Sequence, residues 1–272
     1  MGPTKKCLNL GNGLIIQLGR ARLHEDTTFY VRPDGDDTSH DGLEDSPSRA
    51  FATPRGALNA VAACYDLSGH TVTINIAAGT YDGDIVVKGD HFIGIYGNEP
   101  SLMLQGQGQN TVINGKIHVL RHGWLGVSDI TVLGAIYTTY YGVVHLKGET
   151  TLRVSSDKSC FNASNLGTIL IQGNINIDSS AVSVVFHSSW MGSIIGQSFT
   201  VNHLKALSVS AYYVVATSIS FVALIGGTFI GAAVTGTRYV SNLNSVINTS
   251  YGGNNYFPGS IAGITNSGGQ YV

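Results

Sequence analysis

Charge is what the second half of this chain lacks. Residues 161–272 contain only Asp178, Lys205 and Arg238 from among Asp, Glu, Lys and Arg, whereas residues 1–160 hold the other 29 of 32. An ordinary solvated surface carries roughly a quarter to a third charged residues, so this half either hides much of its surface or presents a neutral one. A basic excess is also missing. The formal net charge is −2 and the pI about 6.5, which leaves no electrostatic footprint for a nucleic acid. Cysteine is scarce: Cys7, Cys64 and Cys160 stand far apart, without CxxC or His-flanked spacing. That pattern signals neither a zinc site nor a disulfide framework, and the three read as free thiols of a reducing compartment. No run approaches ~20 consecutive apolar residues, so no membrane insertion is expected. Gly11, Asn12 and Gly13 interrupt the apolar stretch near the N-terminus, and no small-x-small cleavage site follows, which argues against a secretory signal.

What is present is glycine, at 35 residues, with abundant Val, Ile, Thr, Ser, Asn and Tyr, a composition of strands and turns. One segment reads as a helix. In "TPRGALNAVAACYDL", residues 53–67, Thr53 is a suitable N-cap, Pro54 fits the first helical position, and Ala57, Leu58, Val61 and Tyr65 recur at helical spacing. From residue 70 the chain reads as short alternating strands. An apolar near-pair, a glycine and an alternating strand recur at Gly97, Gly126, Gly148, Gly173, Gly196 and Gly227. Imperfect repeats of 20–30 residues indicate a solenoid with one coil per repeat. Aligning three repeats places Ile130, Leu152 and Ile177 in one column and Val132, Val154 and Ser179 in another. Asp129, Thr151 and Asn176, then Thr131, Arg153 and Asp178, fall in the polar columns between them. Separation at a period of two is what stacked strands require, and the fold expected is an all-β, single-stranded parallel β-helix. The helix at 53–67 is the expected cap of its open first coil.

Chemistry is weakly signalled. Polysaccharide hydrolysis needs two carboxylates about 5–10 Å apart. Asp129, Glu149 and Asp178 are the weak catalytic candidates, but none stacks on another, and Asp178 falls opposite Arg153 as half of an ion pair. Asp34, Asp36, Asp37 and Asp41 are hard oxygen ligands of the kind calcium takes. Ser39 and Asp45, however, replace the glycine and glutamate of an EF-hand loop, so solvated Asp-Gly turns are the better reading and no metal is expected. His118, His122, His145, His187 and His203 have no Ser or Cys partner at motif spacing, and no GxSxG is present. No cofactor is implied. Tyr140, Tyr141 and Trp190 offer flat apolar faces with polar tips, suited to stacking on sugar rings. Tyr251, Tyr256, Phe257 and Tyr271, in the uncharged C-terminal stretch, suit burial between copies of the chain.

The segments "FYVRPDGDDTSHDGLEDSPSRAFATPRGALNAV", "HTVTINIAAGTYDGDIVVKG" and "GTRYVSNLNSVINTSYGGNNYFPGSIAGITNSGGQYV" together resemble tailed-phage and prophage tail-fibre, tailspike-like proteins. The resemblance spans about residues 25–272 and is weakest over 135–215. It implies a pectate-lyase-like right-handed β-helix, a homotrimer on the virion tail, and contact with host surface polysaccharide. No catalytic residue carries over. On this reading residues 1–28 form an arm that docks on a phage tail or baseplate protein. Residues 29–68 hold a strand, an acidic loop and the capping helix; 69–235 form the β-helix, and 236–272 a trimer-forming tip. The function expected is receptor binding. A polysaccharide depolymerase, hydrolase or lyase, of the same architecture is the alternative.

Overall fold

The computed structural model describes residues 19–94 and 99–272, and the backbone of 7–9 and 15–17. The assigned arm at 1–28 lies largely outside the described residues. Its last part does not stand apart: Ala21–Arg22 pairs with Tyr65–Asp66, and Ala21 and Leu23 are buried in the common core.

The helix runs from Pro54 to Cys64, with Thr53 in extended geometry accepting a hydrogen bond from the Gly56 N–H, and Pro54 in the first turn. It ends earlier than the apolar spacing predicts, because Tyr65 and Asp66 leave it to pair as a strand. Ala57, Leu58, Val61 and Tyr65 are all buried, and the helix packs on the strands Thr27–Val31, Val72–Ile76 and Ile85–Lys88. Cys64 is disulfide-bonded and Cys160 is a buried free thiol, which corrects the reading of three free thiols. A disulfide depends on Cβ proximity in space, which wide spacing along the chain neither shows nor excludes.

From Val72 onward the chain winds through three sheets of seven, eight and ten strands, in which neighbouring strands pair in parallel. Each circuit visits the ten-stranded, then the seven-stranded, then the eight-stranded sheet, and the seven strands of the smallest sheet mark seven complete coils. This is a parallel β-helix-type solenoid. Leu102, Leu125, Val144, Ile169, Ile194, Val222 and Ile247 are in register along the ten-stranded sheet, and all are fully buried. Each contributes on the order of 1.5–3 kcal/mol of burial. Phe161 and Phe186 stack 5.3 Å apart on the eight-stranded sheet.

The apolar columns are buried as expected, but Thr131, Thr151 and Asn176, in the polar columns expected to face outward, are buried as well, and the register differs by two residues at one step. Leu152 pairs with Ile177 as expected, yet its partner in the preceding coil is Val132, not Ile130. A slip of two preserves which face each side chain takes, so composition alone does not detect it. The repeat glycines also divide. Gly126 and Gly196 lie within strands of the ten-stranded sheet, Gly148, Gly173 and Gly227 lie between strands, and Gly97 is outside the described residues.

Candidate glycan-binding ridge

The corner joining the eight-stranded to the ten-stranded sheet is built the same way in coil after coil. Two consecutive residues take positive φ: Arg121–His122, Tyr140–Tyr141, Asn165–Leu166, Trp190–Met191, Ser218–Ile219 and Leu243–Asn244, with Ser267–Gly268 closing the series. Gly142, Gly167 and Gly192 donate to the carbonyls of Thr139, Ser164 and Ser189 at 2.9–3.0 Å. These are two-residue turns of the type that favours Asn-Gly. At Gly192 a side chain is impossible, since a Cβ would lie 2.2 Å from the Ala163 carbonyl oxygen of the coil before it.

The turns are themselves hydrogen-bonded into a ladder. At five of the six steps the second residue of one donates its N–H to the first residue of the next: His122 to Tyr140, Leu166 to Trp190, Met191 to Ser218, Ile219 to Leu243 and Asn244 to Ser267, at 3.0–3.3 Å. The strand stacking therefore continues through the corner, and successive turns lie about 4.8 Å apart. The rings of His122 and Tyr141, in adjacent coils, are parallel within 4° at a centroid separation of 4.8 Å.

A left-handed conformation costs a residue with a Cβ roughly 1–2 kcal/mol, and for a β-branched or bulky residue it is an outlier that calls for explanation. Here tyrosine, leucine, tryptophan, methionine and isoleucine occupy it, and they face solvent. Tyr140 is 57% exposed, Trp190 63% and Ile219 66%. Tyr141, Leu166, Met191 and Leu243 are exposed as well. A shallow groove runs between Trp190, Met191, Ser218, Ile219, Leu243 and Asn244.

Tyr140, Tyr141 and Trp190, picked out in the sequence as aromatics, are thus brought onto one ridge. Asn165, Leu166, Met191, Ile219 and Leu243 share it and were not singled out. Their signal is the residue pair just before each of Gly123, Gly142, Gly167, Gly192, Ser220 and Ser245, a marker that falls at the same corner in each of these coils.

The carboxylate candidates lie elsewhere and do not pair. Asp129 accepts from Ser128 Oγ at 2.6 Å, Gln105 Nε2 at 2.7 Å and the Glu149 N–H at 3.0 Å. Burial pushes its carboxyl up, but the hydrogen bonds from Ser128, the Glu149 backbone and Gln105 outweigh this and hold it below the ordinary value. Glu149 has an exposed side chain and lends Asp129 only its N–H. Asp178 is bound by Lys205 Nζ at 2.6 Å and by Arg153 Nε at 2.9 Å. It lies in a second groove with Ser155, Ser179 and Ser180, where its charge offsets one of the two cations.

The acidic loop is similarly self-contained. Arg32 binds Asp34 and Asp45, Arg49 binds Asp41 and Glu44, and Asp36 accepts from Thr38 and Ser39. Those hydroxyl hydrogen bonds hold Asp36 well below the usual carboxylate range. Asp37 accepts from the N–H groups of Ala52 and Thr53 and so fixes the entry to the helix. Among the described residues no group of three or more His, Cys, Asp or Glu converges as a metal site.

His203 and Tyr213 share a buried hydrogen bond of 2.9 Å, and burial holds His203 below its ordinary value. Of the C-terminal aromatics, Phe257 is buried within its own chain, where it packs against Tyr213, Phe229 and Tyr239. Tyr271 stacks on Tyr239 at 4.0 Å, and Tyr256 accepts through its hydroxyl from the Gly227 N–H. Tyr251 is 94% exposed.

No family model matches this chain, no curated protein is similar to it, and no solved structure matches its fold.

Proposed function

We propose that the chain is a receptor-binding tail fibre of a phage, a homotrimer on the virion tail that attaches to host surface polysaccharide without cutting it. In this reading the solenoid is right-handed, the helix Pro54–Cys64 caps its first coil, residues 1–28 reach a tail or baseplate protein, and residues 236–272 form the trimer-forming tip. The observation that carries attachment is the ridge. Tyr140, Tyr141 and Trp190 stand in line, exposed, in a backbone conformation that disfavours them. Strain of that kind concentrates at functional positions, and aromatic faces with polar tips are the groups that hold sugar rings. The assignment to a phage virion rests on the resemblance of the opening and closing segments. The trimer is supported by the three charges in residues 161–272, since surfaces buried between copies shed charge.

Cleavage has less support. Asp129 and Asp178 are committed to local hydrogen bonds and ion pairs, and a glycosidase needs two carboxylates facing one bond. The test is incubation with a panel of capsular polysaccharides and lipopolysaccharides. Retention that depends on Trp190, without new reducing ends or new ultraviolet absorbance, is the expected result. Release of either product would establish a depolymerase instead.

A further inference from the structure

We infer that the ridge takes a linear, uncharged polysaccharide lying along the solenoid axis and stacks one sugar ring in every two; this rests on the attachment function proposed above. Three features of the turn ladder lead there. The first residues of successive turns run Tyr140, Asn165, Trp190, Ser218, Leu243, Ser267. Large apolar side chains thus alternate with small hydrogen-bonding ones, coil by coil. With strands about 4.8 Å apart, the platforms Tyr140, Trp190 and Leu243 recur every two coils, about 9–10 Å. That is the span of two rings in an extended glycan. In such a chain successive rings present alternate faces, so the same face returns at every second sugar. Asn165 and Ser218 lie between the platforms, where an unstacked ring offers its hydroxyls, and each can both donate and accept.

The second residues supply a wall. Tyr141, Leu166, Met191 and Ile219 are apolar in four consecutive coils, so the ligand is guided along the axis rather than across it. The third feature is charge. From Tyr140 to Gly268 no turn residue is charged, nor is any residue flanking a turn, such as Thr139, Gly142, Ser189, Gly192, Thr217 or Asn242. The charges of residues 161–272 are Asp178 and Lys205, paired with each other in the separate groove, and Arg238 on the strand Val234–Ser241. Arg121, in the turn before Tyr140, is the one cation of the ladder and is paired with Asp90 at 3.1 Å, so a uronate or sialic acid held on the platforms from Tyr140 to Leu243 would lose hydration without gaining a free partner. A neutral sugar has no such penalty.

The purified full chain is screened against immobilised linear bacterial polysaccharides, neutral and acidic, and bound glycans are titrated by calorimetry as fragments of defined length. Neutral glycans should be retained, with affinity rising in steps of two sugars and holding constant between about 0.05 and 0.5 M salt. Trp190→Asn should weaken binding by up to about tenfold without lowering the melting temperature, because asparagine tolerates the left-handed conformation. Binding of acidic glycans that Trp190→Asn abolishes would leave the attachment reading in place and overturn the neutral ligand. Equal increments for each added sugar would overturn the two-coil register. If no glycan binding responds to Trp190→Asn, both the inference and the attachment reading fail.

Discussion

Ile219 is the residue its backbone suits least. It is β-branched, sits at φ 61° and is 66% exposed, so it bears the conformational cost with little burial in return. Ile219→Asn should therefore stabilise the fold by about 1 kcal/mol, a rise of about 2–4 °C in melting temperature, read by thermal unfolding. A lower melting temperature would show that the side chain packs more than its exposure suggests. Asp178 is the opposite case, with a side chain only 12% exposed and two cations on it. Burial works against its ionisation, but Lys205 and Arg153 outweigh it and keep the carboxyl below its ordinary value. A depressed carboxyl adds stability above its unfolded value near 3.9, and that stability is lost as pH falls through the folded value. Asp178→Asn should accordingly be less stable than wild type at neutral pH, with the gap closing below about pH 4. A gap that persists undiminished at pH 2 would assign the loss to packing.

At the level of elements, the helix and the alternation of the strands are legible in the sequence because each follows from local rules. Thr53 and Pro54 mark the helix start, and a period of two marks the apolar columns, although Thr131, Thr151 and Asn176 between them are buried too. The register is less legible, since Val132 and Ile130 are equally apolar and a shift of two leaves every side chain on its proper face. The turn ladder is hidden for a different reason. Its backbone calls for Asn-Gly, and the sequence has Tyr-Tyr, Trp-Met and Ser-Ile there, so the propensity signal is overridden where the proposed ligand would sit. The uncharged C-terminal segment reads as interface from its sequence, yet Phe257 joins an aromatic cluster with Tyr213 and Phe229 inside its own chain. Phe257→Ala should cost about 3–5 kcal/mol by chemical denaturation. A loss under 1 kcal/mol would mean that the segment is held mainly by other contacts.

For the whole molecule, the division of charge remains the broadest feature. One chain has a mass of 28.7 kDa, and three chains around an axis should elute and scatter light at about 86 kDa. A stable monomer at micromolar concentration would remove the trimer and leave the neutral half to be explained by ligand alone. The two-residue turns also have a consequence for how such a molecule can change. Their side chains point away from the core, so each pair can be exchanged without disturbing the ladder of Leu, Val and Ile that holds the coils. The ridge behaves as a ruler whose marks can be rewritten one at a time. Adding a single coil would lengthen the ruler by one interval and put the platforms beyond it half a period out of phase with the glycan, whereas adding two would restore the phase.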